Sequence, residues 1–147
     1  MSGNGLNANK LSLLQRIVPI VLEHYAQAQA VYLFGTFGTV YERPESDADV
    51  AVLLPPCSVS RYSELMLSDC RFSLEDALGC EVDLLSLRDL STVLQNEIVA
   101  SGRRLGCFDE GATAQFEYLS LSLYQKLNWE RAEIVLEFEK RGRLHHV

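Results

Sequence analysis

No stretch of this 147-residue chain approaches the ~20 consecutive apolar residues of a membrane-spanning helix. The opening residues, MSGNGLNANK, hold no apolar run, so no secretory signal is expected and a cytoplasmic address follows. Cysteine is sparse and scattered. Cys57, Cys70, Cys80 and Cys107 form no C-x-x-C pair, which argues against a zinc site and fits reduced thiols packed as small core residues. Histidine offers no ligand cluster either: His24 stands alone and His145-His146 lie in the terminal tail. Positive charge is short, with 13 Lys and Arg against 20 Asp and Glu and a net charge of −7. That balance disfavours direct nucleic-acid binding, which relies on Lys and Arg against phosphate, and it suits a basic partner. There is no internal repeat and no low-complexity segment. What remains is 48% hydrophobic, enough for one domain with a proper core.

The residues that are present alternate between helical and strand patterns. Residues 1–10 read as a flexible lead, 11–112 as one domain, and 113–147 as a C-terminal helix packed on that domain and on a partner. Leu11, Leu14, Ile17, Val18 and Val21 have helical spacing, and Pro19 predicts a kink or two short helices. Strands are expected at Ala30–Phe34, Asp47–Leu54, Glu81–Leu87 and, on an edge, Arg104–Phe108. Helices are expected at Ser60–Leu78, with Tyr62, Leu65, Met66, Phe72 and Leu78 apolar and Gly79 closing it, and at Leu90–Ala100, ending at Gly102. The order implies an α/β (α+β) domain with a mixed four-stranded sheet flanked by helices. The long last helix, Thr113–Lys140, carries two apolar stripes. Phe116, Leu119, Leu123, Tyr124, Leu127, Ile134 and Phe138 form one. Tyr118, Leu121, Trp129, Ala132 and Leu136 form the other, which needs cover from neighbouring helices of the same fold, a partner chain or a second copy.

The chemistry concentrates in LFGTFGTVYERPESDADVAVLL, Leu33 to Leu54. Residues i and i+2 of a strand share a face, so Asp47 and Asp49 aim at one point while Ala48, Val50 and Val52 pack the other way. Two carboxylates on one face call for a cation, and Mg²⁺ favours a few carboxylates together with substrate phosphates. Asp83, inside the apolar strand Glu81–Leu87, is a third acid that is costly to bury unless it is paired or ligates metal. Glu81 reads as a neighbouring or solvated residue. Gly35 and Thr36 end a strand where a helix can begin, a place that offers backbone N–H groups to phosphate. Ser46 can cap or orient Asp47. Arg103-Arg104 and the basic run Lys140–Arg143 read as solvated faces.

Gly35-Thr36, ten residues, Asp47-Ala48-Asp49 and the later strand residue Asp83 resemble the nucleotidyltransferase fold of the DNA polymerase beta superfamily. The phrase Tyr32-Leu33-Phe34-Gly35, the short length and LQNEIVASGRRLGCFDEG (Leu94–Gly111) are similar to its minimal nucleotidyltransferase (MNT) branch, over roughly residues 15–111. The resemblance implies an antitoxin that transfers AMP from ATP to a tyrosine of a HEPN-family RNase toxin. It implies that Gly35 and Thr36 hold the triphosphate. Asp47, Asp49 and Asp83 would be the catalytic carboxylates and ligands of two Mg²⁺ ions. Thr36 replaces the common Ser and keeps its hydroxyl. Phe37 stands where Arg is common, which leaves Arg43 as a nearby candidate for the missing phosphate contact. Tyr118, Leu121, Trp129 and Leu136 would meet the toxin in a hetero-oligomer. Two other readings share this pattern: a silent MNT module that neutralises its toxin by stoichiometric capture, and a small-molecule nucleotidyltransferase.

Overall fold

The computed structural model describes residues 12–35, 47–56 and 68–145, with side chains through Arg141. Residues 12–14 form one helical turn, and α1 follows over Ile17–His24. There are thus two short helices, but the break falls at residues 15–16 and not at Pro19. Pro19 is the third residue of α1, in the first turn, where backbone N–H groups have no partner within the helix in any case.

Four strands follow in chain order: β1 (Ala30–Phe34), β2 (Ala48–Leu53), β3 (Val82–Ser86) and β4 (Arg103–Cys107). The sheet order is β3-β2-β1-β4. β1 is antiparallel to both β2 and β4, while β2 and β3 run parallel. A parallel pair needs a crossover, and α2 (Asp69–Leu78) lies on it. A short 3-10 turn (Leu87–Asp89) and α3 (Thr92–Ser101) lead to β4, and α4 (Glu110–His145) closes the chain. No helix among the described residues is long and apolar enough to cross a membrane.

The sheet is covered on both faces. Val31, Leu33, Val50, Val52, Val82 and Leu84 pack against Ile17 and Val21 of α1 and Cys70, Leu74 and Leu78 of α2. On the opposite face, Ala30, Tyr32, Ala51 and Leu53 meet Leu87, Ile98 of α3 and Phe116 of α4. Phe72, expected on the apolar side of its helix, is instead 54% exposed beneath the Arg71 guanidinium. The reason is helical geometry. Cys70, Leu74 and Leu78 form an i, i+4 row toward the sheet, and a residue two positions from Cys70 or Leu74 faces away. Ser68 caps the start of α2 and Gly79, at φ 70°, its end. Tyr62, Leu65 and Met66 lie outside the described residues.

α4 begins three residues earlier than its apolar pattern suggests, because Asp109 caps it: its Oδ1 accepts from the Ala112 N–H at 3.0 Å. Among the described residues, its buried positions lie in its first third. The Thr113 hydroxyl donates to the Gln29 carbonyl at 3.3 Å, Phe116 is buried under the Arg88 guanidinium, and Ser120 is buried. Gln29 and Arg88 are themselves linked at 2.8 Å. No described residue after Ser120 is buried. The first apolar stripe therefore does not reach the core as expected. Phe116 does, while Leu119, Leu123, Ile134 and Phe138 stay exposed, because the helix runs on past the domain. The second stripe is exposed too, Trp129 at 65%.

Candidate active site

Asp49 on β2 and Asp83 on β3 are direct register partners across the parallel ladder. Neighbouring strands lie about 4.8 Å apart, so the two side chains rise side by side from one face. The start of the pair is clamped by the Ala48 N–H, which donates to the Glu81 carbonyl at 2.9 Å. The β2 residues Ala48, Val50 and Val52 are buried on the other face, as the alternation predicts. Asp47 is exposed, one residue before β2. Glu81 is exposed just before β3.

The two carboxyls interact strongly. Asp49 is pushed up to about 6, first by burial, then by its hydrogen bond to Asp83 and by the charges of Asp83 and Asp47. Asp83 and Asp47 thus both act on Asp49. Among the described residues, no three His, Cys, Asp or Glu side chains stand close enough together to hold a metal ion as they are. The hydrogen-bonded Asp49–Asp83 pair, an oxygen-only donor set, fits a hard divalent cation.

This coupling has a consequence for stability. The folded-state value for Asp49 lies above its ordinary 3.8. Folding therefore takes up a proton between those values. The stability this group contributes is full below pH 3.8 and is lost as pH rises through about 6. Asp49→Asn is expected to raise the Tm of the metal-free protein at pH 7.5 by about 3 °C, after discounting for the partial solvent exposure of the group. At pH 4 the gain should disappear. A gain of equal size at both pH values would contradict the coupling.

Gly35 brings the backbone to the same place. It follows β1 directly, has φ 79°, and a Cβ built on it would lie 2.5 Å from Asp49 Oδ2. Only glycine lets the turn run this close to the carboxylate. A turn that meets an acid pair at the end of a strand can set phosphate oxygens and carboxylates around one point. Thr36, Phe37, Arg43 and Ser46 lie outside the described residues.

One constellation was not anticipated. Tyr32, buried in the middle of β1, donates its hydroxyl to Glu117 Oε1 of α4 at 2.6 Å. Arg104 of β4 pairs with the same oxygen at 3.2 Å. Burial, and then Glu117, push the ionisation of Tyr32 well above its ordinary range. A phenol in an otherwise apolar strand does need a partner for its hydroxyl, which is the one signal the sequence carries.

Residues 15–111, the span that holds β1 to β4 and all three carboxylates, match the family Polymerase beta, Nucleotidyltransferase. The chain belongs to the polymerase beta nucleotidyltransferase family. Among curated relatives of this nucleotidyltransferase is the protein adenylyltransferase MntA of Shewanella oneidensis. It is 30% identical over 130 residues, 88% of this chain and 86% of the relative. A solved toxin–antitoxin structure with AMP-PNP superposes at a TM-score of 0.71 and 28% identity, covering 84% of this chain and 96% of the other. The tri-AMPylated Shewanella oneidensis HEPN toxin in complex with its MNT antitoxin gives a TM-score of 0.68 at 28% identity, covering 87% and 97%. The nucleotidyltransferase fold, with its mixed four-stranded sheet and long C-terminal helix, is thus common to this chain and the MNT antitoxins.

Proposed function

We propose that this chain is the antitoxin of a HEPN/MNT pair and adenylylates its partner, moving AMP from ATP onto a tyrosine hydroxyl of a HEPN-family RNase toxin. The observation that carries the reading is the Asp49–Asp83 pair beside the close Gly35 turn. The likeness to MntA, and to a complex whose toxin bears AMP groups, supports AMP as the group transferred and a HEPN protein as the acceptor. A cytoplasmic site of action goes with this role.

In this account the Gly35 turn receives the triphosphate. Thr36 adds a hydroxyl to it, Arg43 takes the place of the common Arg, and Ser46 orients Asp47. The carboxylates of Asp47, Asp49 and Asp83 would hold two Mg²⁺ ions, whose chemistry is to neutralise triphosphate charge and acidify an attacking hydroxyl. Asp83 accepts the proton of the incoming tyrosine. The phenolic oxygen forms a bond to the α-phosphorus, the bond from that phosphorus to the bridging oxygen of the β-phosphate breaks, and pyrophosphate leaves. The exposed length of α4, with Tyr118, Leu121, Trp129 and Leu136, presents the partner. Clustered acids serve no purpose in a chain that only captures its toxin.

The position of the label in ATP tests the reading. Incubated with a HEPN-family toxin that binds it, the chain is expected to transfer label from the α-phosphate and none from the γ-phosphate. Transfer of the γ-label, or of neither, would overturn it.

A further inference from the structure

β1 joins two functional parts of the molecule. At its C-terminal end is the Gly35 turn, against Asp49. Along its length it receives the root of α4, and the contacts advance along β1 as the chain advances along α4. Thr113 meets Gln29, just before β1, and Glu117 meets Tyr32, at its centre. Glu117 bonds the sheet through both Tyr32 of β1 and Arg104 of β4. Tyr32 is 1% exposed and lies opposite Ala51, which shares a strand face with Asp49. The contact is short and charge-assisted, the kind that fixes an angle as well as a distance. Arg104 holds Glu117 from the neighbouring strand. Apolar packing at Phe116 has no such directionality.

We propose that Tyr32 and Glu117 are positioning residues for the transfer: their hydrogen bond sets the direction of α4 relative to the strand that carries Gly35, and so aligns a partner docked on α4 with the carboxylates. This inference rests on the function proposed above. The leverage is large because α4 has 36 residues and no described residue beyond Ser120 is buried. At 1.5 Å rise per residue, a tilt of about 10° at Glu117 moves the helix axis two turns on by about 2 Å. A misplacement of about 1 Å between reacting groups can cost about a hundredfold in rate.

The test is single-turnover transfer from ATP with Mg²⁺ to a HEPN-family toxin that binds this chain, at a series of partner concentrations. Tyr32→Phe is expected to slow the maximal transfer rate about tenfold or more, while the half-saturating partner concentration and the affinity for AMP-PNP stay within about twofold. Glu117→Leu should match it. Glu117→Gln keeps both an acceptor for Tyr32 and a partner for Arg104, and should transfer at close to the wild-type rate. A purely structural contact would instead lower the Tm and leave the rate of the folded protein unchanged. Wild-type rates in Tyr32→Phe would overturn the inference, as would a Glu117→Gln variant as slow as Glu117→Leu. A wild-type chain that transfers no AMP would overturn the function reading, and this inference with it.

Discussion

Asp83→Ala is expected to reduce AMP transfer by about a thousandfold or more, the scale on which loss of a group stabilising transition-state charge is felt. The fold should survive. Asp83 is a partly exposed residue of β3, beside Asp49 in register, and the pair repels wherever both are ionised. Removing one member relieves that repulsion. The remaining Asp49 should titrate closer to its ordinary 3.8, held up chiefly by burial. Tm at neutral pH is therefore expected to stay level or rise while activity is lost. That combination separates a catalytic carboxylate from a structural one, whose loss would lower both. Transfer within about tenfold of wild type would remove Asp83 from the mechanism.

Gly35→Ala is the second large effect. The substitution meets two obstacles at once: φ 79° is a conformation an alanine adopts only with strain, and the new methyl lies 2.5 Å from Asp49 Oδ2. The strain should cost about 1–2 kcal/mol of stability. The methyl pushes Asp49 away from Asp83, and transfer should fall about a hundredfold or more. Gly79→Ala is the matched control. Gly79 also has a positive φ, 70°, but nothing lies within 4 Å of a Cβ there. It should lose a similar amount of stability, read by thermal denaturation, and keep full transfer activity. Equal activity losses in the two variants would mean that backbone strain, not encroachment on Asp49, explains the effect at Gly35.

The parts of this molecule that were legible in the sequence are those with local causes. AVYLF at Ala30–Phe34 is buried on both faces, and its apolar run marks β1 at both ends. The two-residue period places Ala48, Val50 and Val52 on the buried face of β2 and turns Asp49 the other way. The opposition of Asp49 and Asp83 does not follow from that period, because the register of β2 on β3 is set by a crossover whose path no local pattern encodes. Tyr32 and Glu117 are 85 residues apart, and only the docking of α4 on the sheet brings them together. The apolar stripes of α4 could be read, but not how far the domain extends beneath them. Leu123 and Phe138 have the spacing of core residues and are left exposed beyond Ser120, the last buried residue described. Phe72 is apolar, but its angular position on α2, two residues from Cys70 and from Leu74, turns it to solvent.

The central claim is that these carboxylates move AMP onto a partner protein. The intact mass of the HEPN-domain partner, after incubation with this chain, ATP and Mg²⁺, tests it most directly, run beside an Asp47→Ala/Asp49→Ala double variant. The account predicts a gain of whole AMP units with the wild-type chain and none with the variant. A partner that binds both proteins equally and keeps its mass would contradict it, and would mark the chain as a capture module built on a nucleotidyltransferase fold.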